Sequence, residues 1–241
     1  MPNHKTEIYV LHQDNHYLFI HKPAGIASVP ERGNPSASNI QQWLKENYPD
    51  ANLCHRLDKE TSGVLVAALH ADAHRELSYL FHERMVNKYY HALVKGVHHI
   101  TEPIVIDLPL NTDNPTKTKV DKQNGVEAIT AIISIMNFKH YTLLECKPIT
   151  GRTHQIRVHL AYYGTPIIGD TLYGGENLFL SQIKRKNYKI SFDEEEKPLN
   201  KRFQLHAHRI RFENSFGKYE VSAPYPKDFE VILKQLQKYD L

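Results

Sequence analysis

The chain has 241 residues, 41% of them apolar and 24% charged, enough for one large domain or two small ones with a packed core. Thirty Lys and Arg against 27 Asp and Glu leave a net charge of +3, which allows a nucleic-acid partner without specifying one. No apolar run of about 18 residues is present to span a membrane, and the opening MPNHKTEIYVLHQD lacks a signal-peptide core, so a cytoplasmic protein is expected.

Taken in chain order, Ile8 to Leu11 and Tyr17 to His21 read as two short strands joined by the polar turn Gln13-Asp14-Asn15. Gly33-Asn34-Pro35-Ser36 is a loop, and Ser36-Ala37-Ser38-Asn39 offers caps for a helix over Ile40 to Asn47. Leu53 to Leu57 is apolar at alternate positions, as a strand is. The run GVLVAAL from Gly63 to Leu69 reads as a central strand. Asp72 is placed to cap a helix carrying Ala73, Leu77, Leu80 and Phe81 on one stripe, and Lys88 to Val97 is a strand again.

Between Val97 and Val126 the text is rich in Pro, Asn and Thr, with Lys117, Lys119 and Lys122 in a basic cluster, and reads as an irregular excursion. Val126 to Asn137 and Tyr141 to Ile149 form a hairpin. Thr153 caps a helix to Tyr163, which Gly164 stops. Gly169 to Arg202 reads as an exposed loop holding the runs KRKNYK and DEEEK. Leu205 to Phe212 and Lys218 to Ala223 are strands around a turn, and Asp228 to Tyr239 is an amphipathic helix through Phe229, Ile232, Leu233 and Leu236. Strands outnumber helices without βαβ alternation, so the class is α+β with a mixed or antiparallel sheet. With no internal repeat and no linker, a single domain over 1–241 is expected. Cys54 and Cys146 make neither a disulfide framework nor a zinc site and are expected to be reduced, structural thiols.

Three segments carry candidate chemistry. If Leu53-Cys54-His55-Arg56-Leu57-Asp58 is extended, Leu53 and Leu57 turn to the core, and Arg56 and Asp58 face a cleft or solvent. The bland alternative is a surface Asp58 that begins a turn or pairs with Arg56. In Gly151-Arg152-Thr153-His154-Gln155-Ile156-Arg157, cationic side chains beside a helix N-terminus make an anion site, for an RNA phosphate or a carboxylate; a solvated helix start is the alternative. In Lys88-Tyr89-Tyr90-His91-Ala92 the two tyrosines point to opposite sides of a strand, so that one can line a cleft and stack a base, or both can be core.

Together these segments resemble the RluA family of pseudouridine synthases. The residues that carry the resemblance run from His55 to Gly63, from Lys88 to Val94, from Pro148 to His159 and from Pro166 to Asp170, with Lys22-Pro23-Ala24-Gly25 and Leu205-His206-Ala207 as shorter matches. They fall in family order along nearly the whole chain. The resemblance implies a long, bent, mixed and mainly antiparallel sheet with flanking helices and an RNA cleft across its middle. It implies no metal and no organic cofactor. It places Asp58 as the catalytic aspartate and Arg56 as the arginine that fills the space left by the flipped nucleotide. Tyr90 becomes the stacking tyrosine, Arg152 the basic partner of the aspartate, and Leu205 an apolar wall. The catalytic text begins almost at Met1, so no N-terminal S4 domain is expected. Ala27-Ser28-Val29-Pro30 and Asp107-Leu108-Pro109-Leu110 place the chain nearest the subgroup that modifies a 23S ribosomal RNA hairpin and tRNA anticodon stem-loops, with a monomer expected. The stretch Gly175 to Arg202 departs from the family by its length and bears on the substrate more than on the chemistry.

Pseudouridine formation breaks N1–C1′, turns the uracil and joins C5 to C1′, with no redox or phosphoryl step. The carboxylate must be ionised to act at C1′ as nucleophile or at C2′ as base, and residue types leave both open. A neighbouring arginine favours that ionised form. A glycosidase would need two carboxylates, and no obvious partner stands near Asp58 in sequence. Two rival readings remain: a non-catalytic RNA-binding module, and a metal-dependent hydrolase prompted by 16 histidines and His206-Ala207-His208, with His55 and Asp58 among its ligands.

Overall fold

A computed structural model of the chain describes residues 7–31, 34, 37–114, 116–184, 188 and 195–241. The first half runs β1 (Tyr9–Gln13), β2 (Tyr17–Lys22), α1 (Ile40–Asn47), β3 (Asn52–Leu53), β4 (Ser62–Ala68), α2 (Ala71–His82) and β5 (Asn87–Lys95). Then come β6 (Ile104–Asp107), β7 (Leu110–Asn111), β8 (Lys119–Val120), β9 (Ile129–Asn137), β10 (Tyr141–Pro148) and α3 (Gln155–Tyr162). A 3-10 turn (Thr171–Tyr173) leads to α4 (Leu180–Lys184), β11 (Leu205–Asn214), β12 (Gly217–Ser222) and α5 (Lys227–Tyr239). The chain divides into two compact units, Met1–Tyr90 with His206–Pro224 and His91–Leu205 with Tyr225–Leu241. Both changes of unit within the sheet strands fall inside or at the start of a strand, β5 and β11.

In the first unit the strand order is β1-β2-β4-β11, with β12 beside β11 and β3 beside β4. Every pairing is antiparallel except β4 with β11, which run parallel through Ser62–His206 and Gly63–Ala207. Gly63 has φ of +125°, and a Cβ there would stand 2.1 Å from the Ala207 carbonyl oxygen, so only glycine allows this approach. β2 and β4 are buried at every position because both faces are covered. Tyr17, Phe19, Val64 and Val66 pack with α2 through Leu77 and Leu80, and with Phe212 and Tyr219. Leu18, Ile20, Leu65 and Ala67 pack with α1 through Ile40 and Leu44. The turn before β2 is closed by Asp14, whose carboxylate accepts the N–H groups of His16 and Tyr17 at 2.8 and 2.7 Å.

In the second unit β5, β10, β9 and β6 lie in that order, β10 and β9 as the expected hairpin. α5 buries Phe229, Ile232, Leu233 and Leu236 against Leu143, Phe138 and Leu178, the stripe its spacing predicts. The α+β class and the mixed, mainly antiparallel pairing agree with the sequence reading.

Several local expectations are corrected. α2 is capped by His70, whose Nδ1 accepts the Ala73 N–H, and not by Asp72, which lies inside the first turn. α3 begins at Gln155 behind His154, a left-handed residue with φ of 53°, and Thr153 caps nothing. Regular strand covers only Asn52–Leu53 of the segment expected through Leu57. The excursion after Val97 contains β6, β7 and β8, with β7 and β8 paired to each other. The stretch expected as one exposed loop holds the 3-10 turn and α4. Much of KRKNYK and DEEEK, and of the loop 33–36, lies outside the described residues.

Candidate active site

Asp58 stands on a loop fixed on both flanks by distant residues. The Ser28 hydroxyl donates to the Leu57 carbonyl (2.9 Å) and accepts the Leu57 N–H (3.0 Å). On the other side the Lys59 carbonyl accepts the Gly25 N–H and the buried Lys22 ammonium, each at 2.9 Å. Lys22 also donates to the carbonyls of Pro23 (2.9 Å) and Ile26 (2.7 Å). Asp58 itself closes a turn, its carbonyl accepting the Thr61 N–H at 3.0 Å. Leu57 is buried in the α1-side core, which anchors the loop from below. A carboxylate on a backbone held this way spends little freedom when it meets a substrate.

The neighbours of Asp58 do not divide by the strand alternation expected from sequence, because the backbone is not regular strand: Leu53 and Leu57 turn to the α1-side core, while Cys54 and His55 both meet the α2 side. Arg56 is exposed and, among the described residues, forms no ion pair with Asp58 or any other group. His55 is structural. Its Nε2 accepts the Val66 N–H at 3.1 Å, its ring stacks on Phe81 at 4.9 Å, and burial followed by the charge of Lys88 pushes it down to about 3. A nitrogen that accepts a backbone N–H carries no proton, so geometry and environment agree on a neutral ring. Cys54 packs against the α2-side core, and burial pushes its thiol up to about 12. Cys146, inside β10, is likewise buried with its thiol pushed up. Both are free cysteines and poor nucleophiles as placed.

Tyr89 and Tyr90 have different neighbours. Tyr89 lies under the Arg209 guanidinium, 4.2 Å from its ring centre. Tyr90 packs at the edge of the α1-side core. Burial, and then the charge of Asp58, hold its hydroxyl above the usual tyrosine range. The aromatic ring and the carboxylate therefore share one environment.

Arg152 and Leu205 belong to the second unit. Arg152 sits in the turn before α3. Gln155 organises that turn: its side-chain oxygen accepts the Arg152 N–H (3.0 Å) and the Thr150 hydroxyl (2.7 Å), while its amide donates to the Ile129 carbonyl (2.9 Å) and to Thr130 (3.0 Å). The Arg152 Nε donates to the Glu127 carbonyl at 3.0 Å. Arg157, read from sequence as sharing a helical face with His154, is instead buried in a two-point ion pair with Asp170 (2.6 and 2.8 Å). Its guanidinium lies between the rings of Phe203 (4.2 Å) and Tyr173 (4.9 Å). Leu205 is 3% exposed at the start of β11.

His206 and His208, which prompted the metal reading, do not gather a ligand set. His206 lies 2.9 Å from the Ser62 hydroxyl and 3.2 Å from the Ala223 carbonyl. Among the described residues no group of three or more His, Cys, Asp or Glu is placed to hold a metal ion. Among the described residues no helix is long and apolar enough to cross a membrane. Sequence reasoning missed Ser28, His55 and Gln155 as anchoring groups. Their signal is polarity at positions that fold into the core, visible only once the partners are known.

The family model described as RNA pseudouridylate synthase matches residues 16–162, which contain Asp58, Tyr90 and Arg152. The chain is 40% identical over 176 residues to the dual-specificity RNA pseudouridine synthase RluA of Salmonella typhi, covering 71% of this chain and 80% of that protein. It is 35% identical to ribosomal large subunit pseudouridine synthase D of Xanthomonas campestris pv. campestris, covering 95% of this chain and 69% of that one. Among solved structures, human RNA pseudouridylate synthase domain containing 4 superposes with a TM-score of 0.73 at 26% identity, over 95% of this chain and 92% of the other. A family model spanning well over half the chain, and relatives this similar over most of their own length, make it a member of the RNA pseudouridylate synthase family, an RNA-modifying isomerase of the RluA type.

Proposed function

We propose that Asp58 is the catalytic carboxylate of this pseudouridine synthase. The observation that carries the reading is the clamping of its loop by Ser28 and Lys22, with the charge of Asp58 helping to hold the hydroxyl of partly buried Tyr90 above its ordinary range. The target uridine leaves its stack at a cost of a few kcal/mol. Exposed Arg56 takes the vacated place in the helix, and Tyr90 stacks on the extruded base. For Arg152 and Leu205, which lie in the second unit, the family resemblance suggests substrate-binding roles, the one basic and the other apolar.

In the reaction the N1–C1′ bond breaks, the uracil turns, and C5 joins C1′. The C5 hydrogen leaves as a proton and N1 gains one, so product and substrate have the same composition. Asp58 acts at C1′ as nucleophile or at C2′ as base. Either role needs one ionised carboxylate and no organic cofactor or metal.

We propose structured RNA as the substrate, a 23S ribosomal RNA hairpin and a tRNA anticodon stem-loop or one of the two; that one relative is named for dual-specificity RNA modification and another for the ribosomal large subunit supports RNA as the partner. We further infer a cytoplasmic monomer with a single catalytic domain over residues 1–241.

The test is release of tritium from RNA labelled at uracil C5. Asp58→Asn should fold and bind RNA but release at least about a hundredfold less tritium. Turnover like the parent protein's would overturn the assignment. A wild-type protein that binds RNA and releases none would instead favour the non-catalytic reading.

A further inference from the structure

Residues 169–177 and 197–202, all in the second unit, border an open cavity of about 550 Å³. That is the size of an ordinary ligand site. Thr171, Asn177, Asn200, Lys197, Lys201 and Arg202 give it a polar lining that includes no carboxylate. Its inner side is built from buried groups. Asn200, 3% exposed, accepts the Leu178 N–H with its side-chain oxygen (2.7 Å) and donates its amide to Asn177 Oδ1 (2.9 Å) and to the Arg202 carbonyl (3.4 Å). Gly169 lies against that amide with φ of +81°, where a Cβ would stand 2.4 Å from the Asn200 nitrogen.

The charges around the cavity are unevenly matched. Arg202 is paired with Asp228 at 2.8 Å. Asp170 is held by Arg157, Glu176 by Lys95, and Glu196 accepts the Ser181 N–H and hydroxyl. Glu195 is exposed and does not line the cavity. Lys197 and Lys201 are both exposed, and among the described residues neither forms an ion pair or a hydrogen bond. A polar cavity with two uncompensated ammonium groups selects an anion. The anion that a pseudouridylate synthase meets is RNA, and phosphate contacts position a nucleic acid without reading its bases.

We propose that this cavity is an RNA-binding site in which Lys197 and Lys201 hold a backbone phosphate of the substrate RNA. It falls in the stretch already set apart by its length, so it bears on which RNA is held. The inference rests on RNA as the partner and on no role of Asp58. The Asp58→Asn result therefore leaves its test untouched.

The experiment compares the parent protein with four variants: Lys197→Gln/Lys201→Gln, Lys197→Arg/Lys201→Arg, the cavity-filling Thr171→Trp, and Lys45→Gln/Lys227→Gln as a control at exposed lysines elsewhere. One probe is unmodified transfer RNA transcribed in vitro, its binding followed against KCl concentration. The other is uridine 5′-monophosphate, followed by calorimetry. The first glutamine pair should bind the RNA about tenfold more weakly. Its plot of log affinity against log salt should flatten by roughly one to two ions. The arginine pair should keep most of the affinity, and the control pair should bind as the parent does. Thr171→Trp changes no charge and should still weaken binding several-fold. Unchanged affinity and slope in the first glutamine pair overturn the proposal. Equal loss in the control pair does so too, because overall charge would then be the cause. Parent-like binding by Thr171→Trp would place the contact outside the cavity and overturn it as well. Loss of mononucleotide binding with RNA affinity intact would make a free nucleotide the occupant, and RNA would be ruled out.

Discussion

The hydroxyl of Tyr90 is held protonated by burial and by the charge of Asp58, so ring and carboxylate lie within one another's field. The phenol is therefore held in its neutral form. The ring face remains for stacking. This pairing separates two contributions that sequence alone could not divide, an aromatic surface and a hydroxyl.

Tyr90→Phe should therefore keep RNA stacking and retain activity within about threefold. Tyr90→Ala should lose a stacking contribution of about 1–3 kcal/mol, a drop of roughly 5- to 150-fold in kcat/KM. Single-turnover tritium release on the same RNA measures both. Equal activity of Tyr90→Ala and the parent would remove the stacking role.

Ser28 satisfies both backbone groups of Leu57, the residue before Asp58. Ser28→Ala should leave that N–H and carbonyl without their partner and cost about 1–3 kcal/mol in urea unfolding. Since the loop positions the carboxylate, kcat should fall more than KM rises. A loss confined to stability, with kcat intact below the unfolding range, would show that the bridge serves folding alone.

His55 makes stability depend on pH. Its folded value lies at about 3 against an ordinary 6.5, so between these the unfolded chain binds the extra proton. The stabilisation is full above 6.5 and is lost as pH falls toward 3, at up to about 1.4 kcal/mol per pH unit. Urea unfolding of the parent and of His55→Asn, compared from pH 7 to pH 4, should differ in slope by this amount. Parallel curves would mean the ring is protonated in the folded protein.

Asp170→Asn should destabilise the second unit strongly. The Arg157 guanidinium, sandwiched between Phe203 and Tyr173, loses its carboxylate while remaining buried. Breaking such a pair costs about 3–5 kcal/mol. Replacing both residues with apolar ones of similar size should recover much of the loss, and a double-mutant cycle by thermal unfolding checks it.

The sequence by itself determined what consecutive residues can encode. The stripe of α5, the hairpin of β9 and β10, the α1 span and the buried run of β4 follow from periodicity and caps that act over a few residues. The text around Asp58 was legible for the same reason, as one unbroken segment. Tertiary structure decided which groups hold that segment. Ser28 meets Leu57 across 29 residues and Lys22 meets Lys59 across 37, contacts that exist only once β2 pairs with β4. It also chose His70 over Asp72 as a cap and left His154 in a left-handed turn, because neighbours distant in the chain set the backbone path there. The neutrality of His55 belongs to the same class: pKa is a property of surroundings, and surroundings are assembled by folding.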